Sequence, residues 1–334
     1  MATHYLYGTI VTSEAVAANN RADNIGNTTT LQKVFLHDDL HTSVSAEAIR
    51  FALRYRFQLE GLSTNRTYED EKLRYEDEKR TYFDAKGKAL IDDDLMGFMD
   101  AEAAQKERED EEGDSGGDEG ETEAKAKGKA KEKGKKEKAK GKTTKRPSPL
   151  AVGRAVSLRP YRGELSFNCV SGTKEKGSLS LYNAEIHTTE YQYSFGLNLG
   201  SVIHKEHIGH LLEAVADPPP VAGNHARFAY DFSPASIVLR LTNAHSSRIQ
   251  NCFEHDEKTR GITTRRLLDR VRSGDIPGSE VILGGEIARS PLGAELRAAG
   301  VTVVDGVNAA VREAKARIAR IGAEYTAVKA KGDG

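Results

Sequence analysis

An α+β fold, with helices packed on a sheet and extra segments inserted between them, follows from three observations on the sequence. Tyr191, Tyr193, Phe195, Leu197 and Leu199 alternate with more polar residues, the period of a half-buried strand. Apolar residues recur at helical spacing twice, as Ile49-Ala52-Leu53-Phe57 and as Ile208-Leu211-Leu212-Val215. Toward the C-terminus helix and strand take turns: helix 264–272, strand 280–283, helix 292–299, strand 301–304, helix 307–321. Such alternation around a hairpin-rich middle suggests a sandwich of the ferredoxin-like kind with insertions.

The remaining elements follow in order. Residues 5–11 are β-branched and aromatic and read as a strand. An amide- and hydroxyl-rich loop spans 17–30. Thr42-Ser43-Val44-Ser45 offers helix N-caps, and Glu47 falls in the first turn, where the helix dipole favours a carboxylate. That helix runs to Leu59. Residues 63–99 are charged and tyrosine-bearing, ending in Ile91-Asp92-Asp93-Asp94-Leu95, and read as an irregular inserted lobe. The helix over 205–216 is stopped by Pro218-Pro219-Pro220. Phe228, Tyr230 and Phe232 alternate as a strand would, and 237–241 is another strand.

One segment does not belong to the fold. Ala101–Glu123 carries about nine net negative charges and Lys125–Arg146 about ten positive ones, a blockwise split found in solvated, disordered chain. It reads as a tolerated surface insertion or as an electrostatic arm, which the adjacent acidic block would partly neutralise. The chain therefore divides into a discontinuous main domain (1–60 and 150–330), an inserted lobe (61–100) and a disordered charged insertion (101–149).

Composition excludes several classes. The two cysteines, Cys169 and Cys252, are far apart with no CxxC, so neither a cysteine zinc site nor a disulfide scaffold is expected. No apolar run approaches the roughly 18–20 residues needed to span a bilayer, and the first residues lack the pattern of a signal peptide. A cytoplasmic protein with no membrane partner is expected. The net charge of −1 averages unlike segments and says little about nucleic acid.

Catalytic signatures are missing: there is no GxSxG, Walker A loop, HExxH or dinucleotide fingerprint. Gly284-Gly285-Glu286 reads as a tight strand-to-helix turn. His204, His207 and His210 fan out on a helix rather than converge, and His37 and His41 form one isolated pair. No enzyme activity, metal or other cofactor is expected.

RNA contacts are written elsewhere. The stretch Asn19-Asn20-Arg21-Ala22-Asp23-Asn24-Ile25-Gly26-Asn27-Thr28-Thr29-Thr30-Leu31-Gln32-Lys33 is dense in groups that hydrogen-bond phosphate and 2′-hydroxyl oxygens without reading base identity. A self-satisfied surface loop would look the same. The following helix favours RNA. Arg50 and Arg54, at i and i+4, repel one another on a polar face, and a phosphate backbone along that face would relieve both. Ser45 stands at the entry to this helix, and Asn224-His225-Ala226-Arg227 adds a ring and a cation before an aromatic run. The candidate RNA-binding residues are Asn19, Asn20, Arg21, Asn24, Asn27, Thr28, Gln32, Lys33, Ser45, Arg50, Arg54, His225 and Arg227.

These residues carry a family resemblance. Leu6-Tyr7-Gly8-Thr9-Ile10, Ala17-Ala18-Asn19-Asn20-Arg21, Gly26-Asn27-Thr28-Thr29-Thr30-Leu31-Gln32-Lys33 and His41-Thr42-Ser43-Val44-Ser45-Ala46-Glu47-Ala48-Ile49-Arg50 resemble the start of the DevR-type CRISPR-associated family. Further matches are Ile91-Asp92-Asp93-Asp94-Leu95, Asn183-Ala184-Glu185-Ile186-His187, Arg227-Phe228-Ala229-Tyr230-Asp231-Phe232-Ser233-Pro234 and Ile282-Leu283-Gly284-Gly285-Glu286. That family supplies the repeated backbone subunit of type I-B Cascade. The resemblance implies an RRM-like (ferredoxin-like) palm with an inserted finger lobe and a thumb hairpin. It implies guide RNA (crRNA), other copies of the chain in a helical filament and other Cascade subunits as partners, with target DNA engaged through the RNA in antiviral defence. Two alternatives stay open: a guide-directed RNase using Asp23, because related type III subunits cut RNA with an Asp in the corresponding early loop, and an autoregulatory nucleic-acid-binding protein, for which Arg265-Arg266-Leu267-Leu268-Asp269-Arg270 is a basic helix.

Overall fold

The computed structural model describes residues 4–18, 20–36, 38–69, 72–76, 90–100, 144–169, 181–222 and 229–332. The expected disordered insertion lies outside these except at its end. In chain order the strands begin with β1 (Tyr5–Thr12), β2 (Ala15–Ala17), β3 (Asn20–Ile25), β4 (Thr28–Leu31), β5 (Lys33–Leu36) and β6 (Asp39–Val44). Helix α1 (Ala46–Leu59) follows, then the hairpin β7 (Arg66–Glu69) and β8 (Lys72–Tyr75), and the short helix α2 (Ile91–Met96). Next come β9 (Phe98–Asp100), β10 (Thr144–Arg146), β11 (Leu150–Val152), β12 (Ala155–Ser157), β13 (Glu164–Cys169), β14 (Leu181–Thr189) and β15 (Tyr191–Asn198). The C-terminal part holds α3 (Glu206–Ala216), β16 (Pro234–Thr242), β17 (Glu254–Asp256), β18 (Gly261–Thr263) and α4 (Arg265–Arg272). It closes with β19 (Val281–Gly285), α5 (Pro291–Ala298), β20 (Thr302–Val304) and α6 (Val307–Gly332). The chain groups into two compact units, Met1–Met96 with Ser148–Gly334, and Gly97–Pro147, which contains the paired strands β9 and β10.

Among the described residues nine strands of the first unit form one sheet, in the order β20-β19-β16-β1-β15-β12-β6-β5, with β11 also on β15. The mixed α+β class expected from the sequence is the one observed. Strand β1 is central and antiparallel to both neighbours, with Ile10 opposite Tyr193 on one side and Ile237 on the other. Side chains on a strand alternate between faces, so β1 serves two cores. Leu6 and Ile10 join Tyr191, Tyr193, Phe195 and Leu197 of β15 against α1, α3 and α6. Val11, Val238 and Leu283 point the other way and pack with Ile249, Phe253, Leu267, Leu268 and Leu296, under α4 and α5. Covering both faces explains the consecutive apolar residues Ile237-Val238-Leu239 of β16 and Val281-Ile282-Leu283 of β19. Gly8 lies directly across from Phe195, and a Cβ there would sit 2.2 Å from the ring, so this position has room for no side chain.

Helix α1 forms as the sequence predicts. Ser45 is its N-cap and accepts a hydrogen bond from the Ala48 amide at 3.2 Å, while Ile49, Ala52, Leu53 and Phe57 are buried. Thr42, Ser43 and Val44 are strand residues instead. The Gly284-Gly285 turn is also as expected: Gly285 adopts φ +106 and leads into a 3-10 turn at Glu286–Arg289. Two readings need correction. Within the 17–30 stretch β3 and β4 form a pair of strands closed by the two-residue turn Gly26-Asn27, with Gly26 at φ +62. Tyr230 and Phe232 are buried but form no strand, because Ala229 turns the backbone to φ +52.

A third correction concerns Asp92, Asp93 and Asp94, expected in an irregular lobe. They lie on α2 and are fully buried. Buried carboxylates need partners, and each finds some. Asp92 accepts from the Asn65 and Arg66 amides at 2.7 and 3.1 Å and lies 3.3 Å from the Arg54 guanidinium. Asp94 accepts from the Ile203 and His204 amides at 2.8 and 3.0 Å and contacts His207 Nδ1 at 2.9 Å, closing the start of α3 from another element. Asp93 takes the Asn65 side-chain amide at 2.6 Å, but its Oδ1 has only the Arg66 guanidinium at 3.3 Å without a well-formed hydrogen bond. Burial and the adjacent Asp92 charge push the Asp93 carboxyl up to about 6, whereas the hydrogen bonds from His207 and the two amides outweigh burial and hold Asp94 low.

These opposite shifts predict opposite pH behaviour. Asp93 favours the folded state while protonated, and that contribution is lost as pH rises from about 4 through about 6. Asp93→Asn should flatten the melting temperature over that window and raise stability at pH 7.5 by up to about 3 kcal/mol. Asp94 stabilises above its unfolded pKa and loses this as pH falls through its folded value, so Asp94→Asn should lower stability at pH 7.5, with the gap closing in acid. Arg54→Glu, which sets a carboxylate against buried Asp92, should cost about 3–5 kcal/mol. Thermal melts across pH check all three.

Candidate functional site

The polar stretch singled out in the sequence is carried by β3 and β4. They belong to a second sheet, ordered β13-β14-β4-β3, with β2 also on β14. The β3–β4 register slips between Asn20 and Asn24, so the backbone bulges across Arg21, Ala22 and Asp23. Beyond the bulge Thr29 Oγ1 donates to Asn24 Oδ1 across the pair at 3.0 Å. The turn is fastened to β14 by the Asn183 amide, which donates to the Asn27 carbonyl at 2.9 Å. Asn24, Ile25, Gly26 and Asn27 are exposed and Thr28, Thr29 and Thr30 half-buried, so this edge offers amides and hydroxyls outward.

Residues 31–33 leave the hairpin between two clamps. On one side Glu185 of β14 accepts from the Leu31 amide at 2.7 Å and from the Lys33 ammonium, which stands 4.8 Å over the Tyr161 ring. Burial and the charge of Glu185 raise the Tyr161 hydroxyl above its ordinary pKa, so it stays protonated. On the other side exposed Arg154 donates to Gln32 Oε1 at 2.6 Å and to Ser43 Oγ at 3.2 Å. Among the described residues no carboxylate pairs with Arg154. The sheet also exposes large apolar side chains: Ile25 is 76% exposed, Phe167 on β13 71% and Leu165 58%.

The structure brings Asn24, Asn27, Thr28, Gln32 and Lys33 onto this one sheet and its exit, with the backbone of Asn20 and Arg21 on β3. Asn19, His225 and Arg227 lie outside the described residues. Three expectations are corrected. Ser45 is buried by its capping role and does not face outward. Arg50 gives its guanidinium to the Met96 and Leu150 carbonyls at 2.8 and 3.1 Å. Arg54 is turned to Asp92 and to the Met96 sulfur at 3.4 Å. The repulsion between the two arginines is present, since burial and the facing Arg54 hold Arg50 below its ordinary pKa. It is relieved from within the chain rather than by an open polar face. Sequence reasoning missed Arg154 and Tyr161, single residues between short strands with no local pattern. Glu185 stood within a quoted motif without a role.

Among the described residues no three histidine, cysteine or acidic side chains gather as a metal site. His207 does have a carboxylate partner, Asp94, but as one buried pair. Burial first, then the charges of His41 and Arg159, push His187 down to about 4, and its ring contacts Thr42 Oγ1 at 2.8 Å. Burial pushes the Cys252 thiol up to about 12, far from a reactive thiolate. No helix is long and apolar enough to cross a membrane among the described residues. The arrangement can hold an extended polyanion: hydroxyls and amides for sugar and phosphate oxygens, one outward guanidinium, and one exposed ring, Phe167, on which a base can stack.

A family model described as "CRISPR-associated negative auto-regulator DevR/Csa2" matches residues 9–264. The "CRISPR-associated protein Cas7/Cst2/DevR" of Myxococcus xanthus (strain DK1622) is 38% identical over 327 residues, covering 94% of this chain and 97% of that protein. Two solved structures share the fold. A chain of a "CRISPR RNA-guided surveillance complex" has a TM-score of 0.53 at 13% identity over 93% of this chain and 99% of its own. A chain of a "CRISPR RNA-guided surveillance complex, pre-nicking" has 0.55 at 11% identity over 93% and 100%. With the family model matched over residues 9–264 and a 38% identical relative aligned over 94% of the chain, the chain belongs to the DevR/Csa2 family of CRISPR-associated proteins.

Proposed function

We propose that this chain binds the backbone of a CRISPR guide RNA and repeats along it as a structural subunit of a type I-B Cascade, without chemistry of its own. The observation that carries this is the clamped polar edge: Asn24 and Asn27 exposed beside half-buried Thr28, with residues 31–33 fixed by Glu185 and Arg154. A rigid row of sequence-blind donors and acceptors suits a subunit that holds RNA by shape while base pairing selects the target. The topology supports an RRM-like palm: β16-β1-β15 with β11 and β12 beyond, α1 after β1 and α3 after β15, is the strand order and helix placement of a split βαβ sandwich. On this reading β13 and β14 are the thumb and the segment around β7 and β8 the finger. Target DNA pairs with the held guide, and further copies and other Cascade subunits flank the chain.

The test is to purify the tagged protein from cells holding its CRISPR array and sister genes, and to sequence the RNA that accompanies it. Short RNAs with one repeat-derived handle and varied spacers are expected. Folded, soluble protein without RNA would overturn the reading. Arg154→Glu should lower the bound RNA at least tenfold, in line with about 1.5–3 kcal/mol for a charged hydrogen bond, while the melting temperature stays within a few degrees. The guide-directed RNase is the rival reading, because Asp23 lies on the bulge of β3. Metal-dependent cleavage of complementary RNA, lost in Asp23→Ala, would replace the structural role with an enzymatic one.

A further inference from the structure

The other face of the main sheet carries a second feature that guide binding does not use. Between the loop after β16 and helix α4 opens a polar cleft of about 500 Å³, lined by Arg248, Arg266, Arg270, Gln250, Asn251 and Asp275 among others. Three guanidinium groups face one carboxylate in this lining. Arg248 pairs with Asp275 at 2.9 Å, and Arg266 reaches outside the lining to Glu254 at 2.8 Å. Arg270 instead donates to the carbonyls of Arg248 and Gln250 at 2.7 and 3.3 Å, neutral acceptors that leave its charge uncancelled. Even after Glu254 is counted, one positive charge remains over.

The cleft is also built rather than incidental. Arg248 and Asn251 both hold φ +51, a left-handed conformation that costs a non-glycine residue about 1 kcal/mol or more. Arg270 pins the loop between them from α4. Beneath it Arg240, almost wholly buried, donates to the Ser246 and Ser247 carbonyls at 3.0 and 2.9 Å and is paired with Glu280 at 2.8 Å. The walls stand on the second core, through Ile249, Leu267 and Leu268. Arginine forks and an exposed amide pair, set around an open polar cleft, match the oxygens of a phosphodiester.

We propose that this cleft is a second nucleic-acid contact, taking the phosphate backbone of a strand other than the one held along the β3–β4 edge. It shares no residue with that edge and packs on the opposite face of the sheet from α1. The contact is electrostatic and blind to sequence, so it adds affinity for any duplex brought near and weakens steeply with salt. The same phosphate chemistry is offered by a free phosphate ion, and the experiment separates the two.

The full chain, with whatever RNA accompanies it, is titrated with a 40-base-pair duplex lacking any match to that RNA, across a range of salt. Arg248→Ala with Arg266→Ala should weaken binding about tenfold at low salt and reduce the slope of log affinity against log salt by about 1 to 2. Arg266→Lys, which keeps the point charge, should retain most of the binding. Melting temperature and RNA content report that the fold and the guide edge are intact in each variant. Unchanged duplex affinity and slope in the double alanine variant would overturn the proposal. So would a melting shift with inorganic phosphate that the variant loses while duplex binding persists, because the cleft would then be a small-anion site.

Discussion

An ionised carboxylate placed out of reach of water costs several kcal/mol unless charges and hydrogen bonds surround it, and this chain buries three in succession. Asp92 and Asp94 make that tolerable by reaching two different places at once. Asp92 collects the backbone entering β7 and the guanidinium of α1, while Asp94 collects the backbone entering α3. Helix α2, only six residues long, thereby fixes α1 and α3, two of the helices that cover the sheet, relative to the chain that follows α1. The arrangement has its cost in Asp93, which sits beside Asp92 with less compensation. Specific geometry is what such a network obtains for the stability it forgoes, and in this fold it holds α1, through Arg54, against the chain entering β7.

The candidate site inherits that geometry. Strand β6 ends at Val44, one residue before Ser45, the cap of α1, and its Ser43 amide donates to the Gln32 carbonyl at 2.8 Å while the Ser43 hydroxyl accepts from Arg154. Residues 31–33 are therefore tied to the main sheet through Ser43 and to the second sheet through Glu185. The hairpin between β3 and β4 projects from a fixed base, although almost nothing in its own composition would hold it in place. A surface that binds RNA by its backbone needs such spacing more than it needs affinity at any one atom.

Much of the fold was legible from the sequence, for reasons visible in particular residues. Tyr191 to Leu197 alternate, and their odd positions form one face of the core; Ile49, Ala52, Leu53 and Phe57 recur with helical period, and all four are buried. The hairpin turn was also written, as Gly26-Asn27 between two short runs, but the polar composition around it reads as loop because strands so rich in Asn and Thr seldom pair. The acidic run at 92–94 misled, since three adjacent aspartates belong in water by composition, and partners distant in sequence, from Arg54, Asn65 and Arg66 to Ile203, His204 and His207, make their burial possible. The same long-range pairing removed Arg50 and Arg54 from the open surface. Of the candidate site, the hairpin residues were found by chemistry that is local, whereas Arg154 and Glu185 act through partners more than a hundred residues away and left no local pattern.

The central claim is that guide RNA lies along the β3–β4 edge and its clamps. Ultraviolet cross-linking of the RNA-bound protein, followed by mass spectrometry of the cross-linked peptides, addresses it most directly. Adducts are expected within residues 19–33 and in the neighbouring segment from Tyr161 to Phe167. Adducts found only in other peptides, with those two segments unmodified, would contradict it.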